Sequence, residues 1–304
     1  MNLRDLEYVV AIERYRNFGK AAQACHVSQP ALSSQVKKLE EQLGVELFVR
    51  TNQSVCPTEA GLRIVATAKD MQRAARQIND MAAEYRDPLS VPLKVGIFPT
   101  LAPFIVPYIT RSVNDAADSL KLIYRERPTA ELIQELRSRT IDVALVSGPL
   151  EVAGCKFTPV FREKLYLLVS DKHRLSNRHT ISAREVPREE MLLLDEEHCL
   201  RNEAIALCQD NRVGMDVPED MSATSLLTAS HYITNDFGCT LMPELGVPFI
   251  ARANPHIRFI EINDESYARN IGFLSRKGCP REHILHALCD QIRSHPPDDT
   301  QALH

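Results

Sequence analysis

The chain has 304 residues, 44% of them hydrophobic, and its 36 Lys and Arg stand against 40 Asp and Glu for a net charge of −4. That length allows two or three folded units with sizeable cores, while the charge balance excludes a general basic coat for nucleic acid. No apolar run reaches about 18 residues and the opening MNLRDLEYVVAIE lacks a signal-peptide layout, so the sequence predicts no membrane association and a soluble, cytoplasmic protein. Eight cysteines in such a reducing compartment argue against a disulfide scaffold. None forms a C-x-x-C pair, and neither zinc-finger spacing, a Gly-rich phosphate loop nor a G-x-S-x-G elbow occurs. No metal, no cofactor and no ordinary enzyme activity is expected.

Residues 17–50 read as two short helices with a tight connection, built to lay one helix in a DNA groove. Phe18, Ala21 and Ala22 give the first helix a small apolar face, and Cys25-His26-Val27 is short enough only for a turn. Ser28 suits an N-cap and Pro30 suits the first turn of a second helix. That helix carries Leu32, Val36, Leu39 and Leu43 as a buried stripe, with Gln29, Ser33, Ser34, Gln35, Lys37 and Lys38 on its other face. Short polar groups in the first turn with lysines behind them suit base reading with phosphate anchoring. Gly44 ends the helix, and residues 46–57 read as a small hairpin or wing, with Arg50 placed to meet a phosphate. The segment 16–50 holds Arg16, Lys20, Lys37, Lys38 and Arg50 against Glu40, Glu41 and Glu46, an excess of two positive charges. This modest excess predicts site-specific binding with a limited salt slope per subunit.

These residues, with the pattern AA-x5-SQP-x-LS-x-Q-x3-LE-x2-LG-x2-LF-x-R and then PTEAG, resemble the winged helix-turn-helix of LysR-type transcriptional regulators. The resemblance implies that Gln29, Pro30, Ser33, Ser34 and Lys37 sit in or beside the major groove of double-stranded DNA, with Arg50 on the backbone.

Residues 58–86 form the longest helical pattern. Ile64, Ala68, Met71, Ala75, Ile78, Ala82 and Tyr85 recur at alternating steps of four and three, a heptad seam suited to a dimerising linker helix. A twofold dimer would set two recognition helices about 34 Å apart on a dyad-like operator. From Pro92 the pattern alternates strands (93–98, 120–125, 141–147) with helices (100–113, bent or restarted at Pro107, and 130–137), predicting a mostly parallel sheet. A second set follows: strands at 164–170, 191–195, 239–242, 257–262 and 270–275, and helices near 201–209, 224–232 and 282–293. The tail 294–304 reads as loose. The arrangement resembles the LysR regulatory region, two α/β lobes like a periplasmic binding protein, whose ligands lie between lobes near strand ends. The implied organisation is an all-α winged helix-turn-helix domain (1–58), a linker helix (59–87), an α/β lobe I (88–163 and 268–304) and an α/β lobe II (164–267).

The chemistry is expected at His198-Cys199-Leu200-Arg201-Asn202-Glu203 through Cys208. Cys199 follows the acidic run 195–197 at a strand end and precedes a helix start. The helix N-terminus with His198 and Arg201 favours thiolate, while the acidic run opposes it. Buried inert thiols are expected at Cys25, Cys56, Cys155, Cys239, Cys279 and Cys289. The segment LLLDEEHCLRNEAIALC is similar to the sensing segment of OxyR-type hydrogen peroxide sensors, a branch of the LysR family, in its His-Cys-Leu-Arg core and nine-residue step to a second Cys. By that resemblance peroxide oxidises Cys199 to a sulfenic acid, and Cys208 resolves it as a disulfide that a thiol reductant later cleaves. Thr100, Thr129 and His198 would hold peroxide, and Arg269 would add positive charge. The partners implied are DNA, peroxide, a second copy of the chain in a dimer or tetramer, and RNA polymerase. After Ala223-Thr224-Ser225-Leu226 the sequence departs from the sensors, running through residues 227–239 without their Glu-Thr-Leu-Arg. Two other readings stay open: a LysR-type regulator answering a small metabolite, and a thiol peroxidase.

Overall fold

A computed structural model describes residues 1–50, 55–87, 89, 91–116, 120–209, 222–279, 281–297 and 300–303. The side chains of Arg50, Tyr85 and Cys208 lie outside the described residues. The chain divides into two compact units, Met1–Arg86 and Asp87–His304.

The first unit runs α1 (Leu3–Tyr15), α2 (Phe18–Ala24), α3 (Gln29–Leu43), β1 (Phe48–Arg50), β2 (Val55–Pro57) and α4 (Glu59–Arg86). Sequence reasoning did not mark α1, although Asn2 and Asp5 form a capping box at its start, with Asn2 Oδ1 accepting from the Asp5 amide at 3.0 Å. Leu6, Tyr8, Val9 and Ile12 give it a buried face, and Tyr8, Val9 and Ile12 join Phe18, Ala21, Leu32, Val36 and Leu39 in one small core. Asn17 and Ser28 cap α2 and α3 as their types require. Between them His26 takes a left-handed φ of +55°.

The wing is fastened to α3 by polar contacts. Glu40 Oε1 accepts from the amides of Leu47 at 2.8 Å and Phe48 at 3.3 Å. Thr58 donates to the Glu46 carbonyl at 2.7 Å and accepts from the Gly61 amide at 2.9 Å, capping α4. A Cβ on Gly61 would stand 2.0 Å from the Leu47 carbonyl oxygen, so the Thr-Glu-Ala-Gly run is a packing requirement. Along the expected seam of α4, Ala68 is buried, but Met71 and Ile78 are 42% and 63% exposed on this single chain.

The second unit continues with β3 (Leu93–Ile97), α5 (Ala102–Ala116), β4 (Leu122–Glu126), α6 (Thr129–Arg137), β5 (Val143–Gly148), β6 (Cys155–Glu163), β7 (Leu165–Ser170), β8 (Thr180–Ile181), β9 (Leu193–Leu194) and α7 (Cys199–Gln209). Then come β10 (Ser222–Ala223), α8 (Leu226–Thr234), β11 (Cys239–Pro243), α9 (Val247–Ala253), β12 (Ile257–Ile262), β13 (Arg269–Arg276), α10 (Glu282–Ser294) and β14 (Gln301–Ala302). One sheet has the order β14-β6-β13-β5-β3-β4, a second β11-β7-β12-β8, and β9 pairs with β10.

The parallel arrangement expected of strands 93–98, 120–125 and 141–147 is present, since β3 runs parallel to β4 and β5. The sheet they belong to is nevertheless mixed, because β13 is antiparallel to both β5 and β6, and in the second sheet β7 is antiparallel to both β11 and β12. Periodicity locates strands without giving their direction. The chain leaves the first sheet from β6 into β7 and returns from β12 into β13, and these two crossings bring in the antiparallel members. β6 itself was missed, because Pro159 interrupts its pattern; Pro159 sits opposite Gly272, where the register shifts. Of the two outcomes expected at Pro107, a restart does not occur, since α5 continues through it as one helix; and in the tail, expected to be loose, Gln301–Ala302 pairs with β6.

Candidate functional site

Three parallel strands end at one rim of the six-stranded sheet. Ile97 of β3 pairs with Glu126 of β4, and three residues beyond each lie Thr100 and Thr129. Ser147 lies one residue before the end of β5. Cys199 is the first residue of α7, and its amide neighbourhood is shaped by the turn in which the His198 amide donates to the Asp195 carbonyl at 3.0 Å. The two crossings supply the charges, Glu163 at the end of β6 and Arg269 at the start of β13, which are cross-strand partners.

These elements converge on the Cys199 sulfur. Thr100 Oγ1 is 3.8 Å from it and Arg269 Nη1 donates to it at 3.9 Å. Arg269 Nη1 also donates to Thr100 Oγ1 at 3.0 Å, so the hydroxyl keeps its own proton for the sulfur or for a bound molecule. Arg269 Nε and Nη2 both donate to Glu163 Oε1, at 3.0 and 2.5 Å. The Phe98 ring covers the guanidinium at 5.2 Å. Thr100, Glu163 and Arg269 are all buried.

Burial is the largest influence on Cys199 and pushes its thiol upward; Arg269 opposes it, Glu203 adds to it, and the hydrogen bonds from Thr100 and Arg269 oppose it again. The thiol lies above its ordinary range. Burial also raises Glu203 to about 7, with Arg269 opposing, Glu163 adding and a hydrogen bond from Ser147 opposing. Despite its own burial, Arg269 is held protonated by Glu163, Glu203 and Cys199.

The local charges that the sequence pointed to are therefore different from those that act. Arg201 donates to the Leu194 carbonyl at 3.0 Å rather than to the thiol, and the carboxylate bearing on Cys199 is Glu203 rather than the run 195–197. His198 Nε2 lies 3.1 Å from the Thr224 carbonyl oxygen, and its buried Nδ1 has no hydrogen-bond partner among the described residues. Thr129 opens α6 half-buried, and no described hydrogen bond joins its hydroxyl to the cluster. α7 is unbroken from Cys199 to Gln209, so the nine-residue step to Cys208 spans about 13.5 Å of helix.

Glu163, Glu203 and Ser147 were not singled out from the sequence. Glu203 had a signal, since it stands four residues after Cys199 in the expected helix. Glu163 had none, because its partner lies 106 residues away. Of the cysteines expected to be inert, Cys155, Cys239 and Cys289 are buried, Cys25 and Cys279 are half-buried, and Cys56 is exposed on the wing strand. Among the described residues no group of His, Cys, Asp or Glu could hold a metal ion, and no helix is long and apolar enough to cross a membrane.

In the first unit α3 turns Gln29, Pro30, Ser34, Lys37 and Lys38 outward, with Ser33 half-buried between them. Gln35 is committed elsewhere, donating to Asp5 Oδ1 at 2.8 Å, so it ties α3 to α1. Lys37 and Glu41 approach to 3.9 Å on the surface, a weak pair. The Arg50 side chain lies outside the described residues.

Residues 3–62 match the family described as bacterial regulatory helix-turn-helix protein, lysR family, and residues 86–297 match the LysR substrate binding domain. The chain is 34% identical over 295 residues to the hydrogen peroxide-inducible genes activator of Dickeya chrysanthemi, covering 97% of this chain and 96% of that one. It is 33% identical over 294 residues to the DNA-binding transcriptional dual regulator OxyR of Escherichia coli strain K12, covering 97% and 95%. A solved structure of a Corynebacterium glutamicum OxyR mutant with hydrogen peroxide bound aligns with a TM-score of 0.62 at 29% identity, over 96% of this chain and 92% of that one. With a helix-turn-helix unit, a two-sheet regulatory unit and these relatives over nearly its whole length, the chain belongs to the LysR family of bacterial regulators, in the group of the hydrogen peroxide-inducible genes activators.

Proposed function

We propose that this protein is a cytoplasmic transcriptional regulator that reads hydrogen peroxide at Cys199 and reports it through a change in DNA binding. The observation that carries the reading is the Cys199 sulfur at a helix start, 3.8 Å from the Thr100 hydroxyl and 3.9 Å from the Arg269 guanidinium. A peroxide bound there meets donors aimed at the charge that develops on its departing oxygen. The thiolate sulfur attacks one oxygen, the O–O bond breaks, and the other oxygen leaves as hydroxide that takes a proton to become water. The product is a sulfenic acid. Cys208, as thiolate, then attacks that sulfur and expels the second oxygen as water, leaving a disulfide. His198 and Thr129 complete the pocket in this reading.

Geometry supports a switch. A disulfide tolerates a Cα separation up to about 7 Å, well short of the helical span from Cys199 to Cys208, so α7 must partly unwind before the bond closes. A thiol reductant reverses the bond and lets the helix re-form. For output, Gln29, Pro30, Ser33 and Ser34 meet base edges, while Lys37 and Arg50 meet phosphates. The exposed Met71 and Ile78 on α4 supply an apolar seam for a second copy, and the homodimer binds a dyad-like operator. A tetramer and contact with RNA polymerase extend the same scheme.

The test is non-reducing peptide mass spectrometry after about one equivalent of peroxide is added to reduced protein. A Cys199–Cys208 link formed quickly, with the other thiols unchanged, is the expected result. Survival of all the thiols sinks the reading.

A further inference from the structure

One half-buried ionisable group has no part in that chemistry. Glu203 stands one helical turn beyond Cys199 on α7, so both side chains share a face. Its Oε2 is sealed from solvent without a hydrogen-bond partner among the described residues, while the Ser147 hydroxyl bonds the same carboxyl group. The charged and titratable groups facing it are Arg269 from β13, Glu163 from β6 and Cys199 on its own helix. One cation thus serves three acidic groups. Glu163 already holds Arg269 through Nε and Nη2, and only Nη1 is turned to the sulfur.

We propose that Glu203 is a positioning residue that sets, through Arg269, how much positive charge is left for the Cys199 thiolate. As a carboxylic acid it leaves Nη1 to the sulfur; as a carboxylate it competes for the same guanidinium and repels the sulfur. Burial holds its ionisation to about 7, so the exchange occurs near neutral pH. Raising the pH favours thiolate directly and disfavours it through Glu203. The rate of Cys199 oxidation then climbs less steeply with pH than that of an isolated buried thiol. The inference rests on peroxide sensing at Cys199.

The test follows alkylation-quenched oxidation of Cys199 by hydrogen peroxide in the full-length protein, between about pH 5.5 and pH 8.5. Glu203→Gln removes the charge while keeping the shape. A neighbouring negative charge worth a tenfold change in thiolate gives about a threefold change in rate, since a less basic sulfur is also a weaker nucleophile. Glu203→Gln is expected to react about threefold faster than wild type at about pH 8.5 and at the same rate at about pH 5.5. Ser147→Ala, which removes a bond favouring the carboxylate, is expected to carry the low-pH behaviour upward in pH. Coincident profiles for wild type and both variants, with Cys199 reacting, overturn the role of Glu203 alone. A wild-type Cys199 that stays reduced at every pH overturns the sensing reading itself.

Discussion

Arg269 and Glu163 stand directly opposite one another across β13 and β6, with Nη2 2.5 Å from Oε1 and both side chains closed off from water. The pair ties the two chain crossings together and leaves Nη1 of the guanidinium for Thr100 and Cys199. One guanidinium thus belongs both to a buried ion pair and to the surroundings of the thiol.

Removing the cation leaves a buried carboxylate unpaired. Arg269→Gln is expected to lower the unfolding free energy by about 3 to 5 kcal/mol and to push the Cys199 thiol further up. Denaturant unfolding measures the first effect, and the pH dependence of Cys199 alkylation measures the second. An unchanged alkylation profile would detach Arg269 from the thiol.

Thr100→Val keeps the shape and removes the hydroxyl that lies 3.8 Å from the sulfur. Loss of one donor to the developing charge is expected to slow Cys199 oxidation by at least about tenfold. Stopped-flow mixing with peroxide reads this, and a smaller loss would assign Thr100 to packing.

The raised Glu203 also makes stability depend on pH. In the folded protein it ionises near 7, against an ordinary 4.5, so the folded state holds the proton more tightly. Its stability contribution is complete below about pH 4.5 and is lost as pH rises through about 7. Glu203→Gln is expected to match wild type at about pH 4.5 and to exceed it by about 2 to 3 kcal/mol at about pH 8. Thermal melts at the two pH values decide the sign.

On DNA, Lys37→Ala is expected to weaken binding across all sequences and to reduce the salt slope by about 1 per subunit. Gln29→Ala or Ser33→Ala is expected instead to relax discrimination at one base pair by about 1 to 3 kcal/mol. Titrations of specific and scrambled duplexes at several salt concentrations separate the two classes.

The helix-turn-helix was legible in the sequence because its instructions are local. Ser28 caps α3, Gly44 ends it at φ +71°, and Leu32, Val36 and Leu39 mark its buried face, all within sixteen residues of one another. A helix near 201–209 just after Cys199 was legible for the same reason, and the structure starts it two residues earlier, at Cys199 itself. Thr100 and Arg269 entered through family resemblance, and the structure brings both to the sulfur. What the sequence alone determined was most of the helices and strands, with α1, β6, α9 and β14 among those left out, and the position of the thiol near a helix start. Strand direction, the pairing of the tail with β6 and the identity of the charges around Cys199 were left to the tertiary structure. Glu163 meets Arg269 only because two strands far apart in the chain share a register, and burial then raises Cys199 and Glu203 together. Desolvation and long-range pairing are properties of the packed chain, and no local pattern of residues encodes them.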